Sequence, residues 1–194
     1  TNDGIDIALR QQSKRIKADA NFYYYDLKDY VFLAPTGVVD PDSGFPVARY
    51  LQGHTRFVGA EFNLDYTAAN FLNIIAGFDY VNAKLVDGSP LPRIAPMRGR
   101  IGLDAHYKNF SVRPEFAVVG DQTRVFENES ATAGYGVFNV SGSYVLPTKH
   151  SAHIFSVTAN NLTDRLYYNH ISFIKDISPE IGRNVRFSYT VRFF

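Results

Sequence analysis

Apolar and polar residues alternate along most of this chain, most cleanly in its last stretch. From Arg183 to Phe194, Val185, Phe187, Tyr189, Val191 and Phe193 share one face, and Asn184, Arg186, Ser188, Thr190 and Arg192 the other. A period of two over this length predicts a β-strand with one apolar and one polar face. The same alternation predicts strands through Ile5–Leu9 and Ile16–Tyr24, blurring from Tyr25 to Leu33. It returns from about Val47 to Tyr66, with Gly53 as a candidate bulge. It recurs over Leu72–Tyr80, Arg100–Tyr107, Phe110 to about Val125, Phe138–Leu146 and Phe155–Ala159. Pro114 weakens the sixth of these strands, because proline cannot donate to a ladder.

Turn chemistry separates the strands. Short polar turns fall at Gln11–Lys14, Thr67–Asn70, Lys108–Asn109 and Pro147–His150. Long loops with Pro, Gly or polar runs fall at Ala34–Phe45, Val86–Met97, Phe126–Gly134 and Asn161–Gly182. The pattern predicts about nine strands, of roughly 10 to 20 residues, and no amphipathic helix. Short turns at one end and long loops at the other is the arrangement of an outer-membrane barrel. A soluble sandwich has no reason to sort its loops this way. The expected fold is all-β, an antiparallel up-and-down transmembrane barrel wall. One alternative is a small self-contained outer-membrane barrel with a structural or adhesive role. It requires Ile5–Leu9 to pair with Val185–Phe193 and close a ring. The other is a soluble all-β binding module, which requires Phe187, Tyr189 and Val191 to be buried.

Composition narrows the chemistry. The 194 residues carry a net charge of +1 and no basic patch, which argues against a nucleic-acid binder. There is no cysteine, so no disulfide, thiolate metal site or cysteine nucleophile is expected. No apolar run reaches the roughly 20 residues of a membrane-spanning helix, but alternation hides barrel strands from such a test. Thirteen Tyr and sixteen Phe, with no Trp, gather near strand ends as an interfacial girdle would. No signal peptide starts at Thr1, so either it was removed or the chain is a piece of a longer one.

The segment Asn160-Asn161-Leu162-Thr163-Asp164-Arg165-Leu166-Tyr167 resembles the late Asn-Leu-x-Asp-x-x-Tyr signature of TonB-dependent outer-membrane receptors. In that family a loop, a Gly-Arg pair and a final strand ending in Phe follow; Gly182-Arg183 and Phe194 stand in those places. Phe194 lies one residue beyond the apolar set that ends at Phe193. Phe57-Val58-Gly59-Ala60-Glu61 resembles the family's aromatic-x-Gly-x-Glu strand, and Asp26–Phe32 its aromatic approach to an external loop. Asn169–Asp176 with Pro179, and Arg124–Ser130 before Gly134-Tyr135, are similar to receptors linked to zinc uptake.

The resemblance implies that residues 1–194 are the C-terminal portion of a barrel of about 22 strands. The plug domain and earlier strands would lie outside the chain. It also implies a bacterial outer-membrane location and active uptake of a scarce nutrient, a metal ion or a metal complex such as a siderophore. The implied partners are outer-membrane lipid, the plug and remaining strands, the metal or chelate, and TonB acting through the plug. No cofactor and no nucleic acid are expected.

Candidate chemistry is sparse. His170 lies in the last long loop, with Glu127, Glu129 and Asp176 in neighbouring loops. Imidazole and carboxylate suit a metal such as zinc, although the bland reading is a solvated loop histidine. The loops expected to meet ligand are Pro35–Phe45, Val86–Pro96, Phe126–Gly134 and Tyr168–Glu180. On the polar strand faces Arg100, Asp104, Arg113, Glu115, Arg186 and Arg192 would line the lumen. There they either balance one another's charge in water or touch a plug. No catalytic residue is expected: Asp164, His170 and Glu180 are near in sequence, but no Gly-x-Ser-x-Gly elbow or phosphate-cradling glycine loop accompanies them.

Overall fold

The structure is a computed structural model that describes residues 2–194. Its strands are β1 (Asn2–Gln12), β2 (Ile16–Val39), β3 (Pro46–Ala69), β4 (Leu72–Leu85), β5 (Arg98–Tyr107), β6 (Phe110–Val119), β7 (Tyr135–Pro147), β8 (Ser151–Asn160) and β9 (Asn184–Phe193). They form one nine-stranded sheet in sequence order, and each pairs antiparallel with the next. Among the described residues no ladder joins β1 to β9, so the sheet does not close on itself as a small barrel would.

Several boundaries differ from the sequence expectation. β2 and β3 extend far past the expected ends, so the loop expected over Ala34–Phe45 shrinks to residues 40–45. Asp40 holds that tip by accepting the backbone N–H groups of Asp42 and Ser43. Strand β6 stops at Val119 rather than near Val125, which lengthens the next loop to residues 120–134. Pro114 marks a gap in the β5–β6 ladder, which runs from Gly102–Glu115 to Ala105–Val112 with nothing paired between. The irregularity expected at Gly53 is real, but the extra residues lie on β2. Leu27 pairs with Thr55 and Tyr30 with Gly53, leaving Lys28 and Asp29 against His54. Asp29 takes φ of 60°, the left-handed turn that lets the chain bulge.

Cross-strand partners share a face, so the ladders define two surfaces. One carries the row Ile7–Phe22–Ala60–Tyr80 and the row Val112–Gly142–Val157–Phe187. The other carries the row Arg113–Ser141–Thr158–Arg186. Among the described residues nothing covers the apolar surface: Phe187 is 79% and Tyr189 56% exposed, with Val191 half-buried. A soluble module would bury these rings, and a patch this broad exceeds what a soluble monomer leaves in water.

What core there is sits at the long-loop end, and the bulge creates it. Past Asp29 the parity of β2 flips, so Phe32 and Ala34 turn to the face that is polar lower down. They meet Ala83 and Leu91, with Tyr30, Leu51, Phe57, Leu85, Ile94 and Phe126 around them. Phe32 and Phe126 meet edge to face, with ring centroids 5.7 Å apart. Near the loops the inner face is therefore apolar, and it anchors the loop layer to the wall.

Candidate functional site: the long-loop layer

Glu129 stands at the centre of the loops. It belongs to the 120–134 loop, just after Asn128, whose φ is 62°. Its Oε1 accepts the Arg93 backbone N–H at 2.9 Å and the Lys175 ammonium at 3.0 Å. Its Oε2 accepts the Phe126 N–H at 3.2 Å. His170 Nε2 lies 3.3 Å from Oε1, while His170 Nδ1 faces Thr132 Oγ1 at 3.0 Å and Lys175 Nζ at 3.3 Å. Two donors at Nδ1 and a carboxylate at Nε2 fit the tautomer protonated on Nε2. The Glu129 and Lys175 side chains are each 5% exposed and His170 1%. Burial pushes the Glu129 carboxyl up. The His170 and Lys175 hydrogen bonds, the Arg93 N–H and the Lys175 charge outweigh it and lower the carboxyl to about 2.

This cluster joins three long loops to one another and to β2. Arg93 comes from the 86–97 loop, and its guanidinium donates to the Leu33 carbonyl of β2 at 2.7 Å. The same guanidinium lies 4.2 Å over the Phe173 ring in the 161–183 loop. Ser130 donates to Asp176 and adds a second tie between the 120–134 and 161–183 loops.

The candidate ligand residues therefore divide. The structure brings Glu129 and His170 together, but both are occupied in holding loops. Glu127 is exposed and, with Asn128, Arg49 and Thr36, lines an open cavity of about 580 Å³. Asp176 is also exposed and accepts from Ser130. Among the described residues no three His, Cys, Asp or Glu side chains converge as metal ligands. Lys175 and Arg93, which complete the cluster, were not singled out from sequence. A lysine in a loop signals nothing until its burial is known.

The Asn-Leu-x-Asp-x-x-Tyr segment holds the base of the last loop. Asn161 is buried with φ of 49°; its side chain accepts the Arg165 N–H and donates to the Arg165 carbonyl, both at 2.9 Å. Leu162 N–H donates to Phe138 O at 2.9 Å, which ties the turn to β7. Asp164 accepts the Arg183 N–H at 2.9 Å, and a side chain at Gly182 would come within 3.1 Å of its Oδ1. Tyr167 packs on Tyr135 with ring centroids 4.1 Å apart. Phe194 donates its N–H to His150 O at 3.2 Å and leaves its ring exposed.

On the polar face the expected charges share one side of the sheet. Arg113 pairs with Asp104, and Arg100 donates to Asn63 Oδ1 at 3.3 Å. Arg98, missed in sequence, donates to Asp79 at 2.7 Å. Glu115, Arg186 and Arg192 face the same side without an ion pair among the described residues.

Comparison with known proteins agrees with this architecture. A family model described as TonB dependent receptor-like, beta-barrel matches residues 1–162. The structure resembles the copper transporter OprC with a TM-score of 0.82 at 22% identity, covering 99% of this chain and 30% of that one. It resembles the FrpB iron transporter from Neisseria meningitidis (F3-3 variant) with a TM-score of 0.74 at 17% identity, covering 100% and 31%. It resembles BauA, the ferric preacinetobactin receptor from Acinetobacter baumannii, with a TM-score of 0.72 at 16% identity, covering 98% and 29%. The chain thus spans under a third of the length of these relatives. Nine antiparallel strands, two unlike faces and loops sorted by length belong with that match, and the chain is a member of the TonB-dependent receptor β-barrel family.

Proposed function

We propose that residues 1–194 are the C-terminal sector of the barrel of an outer-membrane receptor. The intact receptor takes up a scarce nutrient, a metal ion or a metal complex, with energy supplied through a plug domain and TonB. The observation that carries this reading is a sheet with one uncovered apolar face and one polar face, capped at one end by interlocked long loops. Lipid is the one solvent that suits the apolar face. The polar face then lines the lumen, where Glu115, Arg186 and Arg192 stand ready for water or a plug.

Ligand chemistry follows from which loop groups are free. The chain has no cysteine and one methionine, so it offers almost no soft sulfur donors. Glu129 and His170 reach a ligand only by releasing Lys175 and the loops. Glu127 and Asp176 are open. This favours a nutrient that arrives with donors of its own and is gripped by hydrogen bonds and charge at the loop surface. OprC, FrpB and BauA are described as a copper transporter, an iron transporter and a ferric preacinetobactin receptor, which supports the metal class and leaves the individual nutrient to experiment.

The test is binding by the full-length receptor of copper, zinc and a panel of ferric chelates, followed by calorimetry on variants. Glu127→Ala and Asp176→Ala together should weaken the best ligand by about tenfold or more, as lost charge-assisted hydrogen bonds do. Unchanged affinity across the panel would remove these loops from the binding surface.

A further inference from the structure

Three adjacent strands of the outer face change character near the long loops. On β2 the outward residues run from Phe22 and Tyr24 to Asp26, and on β3 from Phe62 and Val58 to Arg56 and His54. On β4 they run from Phe78 and Tyr80 to Asn82 and Lys84. Beyond β6, on which Phe116 and Val118 face outward, the chain continues through buried Gln122 to exposed Arg124. With the apolar part in lipid, these changes mark where tails end and headgroups begin.

The cations above that line are not equivalent. Arg56 and His54 are both bonded to Asp26. Lys84 and Arg124 are exposed and make no ion pair among the described residues. They flank a notch. Strand β5 begins only at Arg98, opposite Asp79, so the upper part of β4 has no neighbouring strand on that side. The 86–97 loop folds back along it instead: Pro90 bridges Lys84, and Leu91 N–H donates to Ala83 O at 3.1 Å. Across the gap the 120–124 segment is pinned by Gln122, whose side-chain amide donates to Ile94 O at 3.0 Å. A cavity of about 220 Å³ remains, lined by Asn82, Lys84, Pro90, Ile94, Gln122 and Arg124.

We propose that this notch binds a phosphate group on the headgroup of a lipid in the leaflet next to the long loops. The inference rests on the membrane-barrel reading above. Two cations without a protein counter-charge among the described residues raise the local positive potential and attract an anion. Phosphate is the anion that layer supplies. Arg124 presents a planar fork to two phosphate oxygens, Lys84 adds a point charge, and Asn82 offers an amide donor. The notch shares the 86–97 and 120–134 loops with the Glu129 cluster, but its two cations are distinct from Glu127 and Asp176, the open loop groups assigned to the nutrient.

The test uses the full-length receptor in nanodiscs containing lipid A with both phosphates, or lipid A from which they have been removed, and reads retained lipid by native mass spectrometry. Wild type should hold the phosphorylated lipid, and Lys84→Gln with Arg124→Gln should weaken it by about tenfold or more. Lys149→Gln, in the short turn at the opposite end, should change nothing. Equal retention of the dephosphorylated lipid, or no loss in the double variant, overturns the proposal. Full displacement by millimolar inorganic phosphate would mean a free-phosphate site and also overturns it. A double variant that still inserts and binds nutrient confines any failure to this notch; a receptor absent from the membrane fraction would instead defeat the functional reading.

Discussion

At the scale of single residues, Glu129 shows how one side chain orders a whole layer. Its folded carboxyl lies at about 2 against an ordinary 4.5. A lowered carboxyl contributes stability that is fully present above the ordinary value and is lost as pH falls through the folded one. The window is therefore pH 4.5 down to about 2, and the local stabilisation at stake is about 3 kcal/mol. Amide exchange in the 120–134 and 161–183 loops of the full-length receptor should accelerate as pH drops through that window, beyond the intrinsic pH effect. Glu129→Gln should loosen both loops already at pH 7, because it leaves the Lys175 ammonium buried without its counter-charge, and should flatten the pH response. Equal protection in the variant and the parent would show that the loops are held by packing alone.

At the scale of elements, the Lys28–Asp29 bulge decides which way the top of β2 faces. Deleting Asp29 should shift everything beyond it by one residue and turn Tyr30, Phe32 and Ala34 outward. The Phe32–Leu91–Phe126 core would go with them, and proteolysis of the 86–97 and 120–134 loops should rise by about tenfold or more. Unchanged protease resistance would mean that β2 re-forms the bulge elsewhere. The bulge also explains what was legible in the sequence. Strands such as β4, β8 and β9 keep one parity from end to end, so their period of two announces them. In β2 the alternation blurs after Tyr25 because the parity reverses, and the strand beyond reads as loop. Pro35 and Gly37 strengthen that misreading, although Pro35 pairs with Ala48 and Gly37, at φ of 75°, sits in a second register shift between Pro35 and Val39. The site was half legible. His170 and Glu129 carry chemistry that sequence flags. Their convergence with Lys175 and Arg93 depends on loops that pack through Phe173, Phe126 and Leu91, and no local period encodes that.

At the scale of the whole molecule, the decisive features are the uncovered apolar face and the two free edges. β1 and β9 each present an unpaired row of backbone N–H and C=O groups, and such edges seek another strand. The apolar face adds exposed Ile5, Ile7, Leu9, Phe187 and Phe193 at those same two edges. In water both features favour association over a monomer, since apolar burial gains about 25 cal/mol per Å² and every edge pairing satisfies backbone groups. The chain refolded by itself should therefore precipitate or oligomerise without detergent and stay dispersed in it. Size-exclusion chromatography with light scattering distinguishes these states. If the proposed receptor architecture holds, adding its preceding strands and plug, refolded together in detergent micelles, should protect the β1 and β9 amides that exchange freely in the isolated sheet. A stable, detergent-free monomer with β9 amides protected would mean that another layer covers Phe187 and Tyr189. The lipid-facing assignment would then fail.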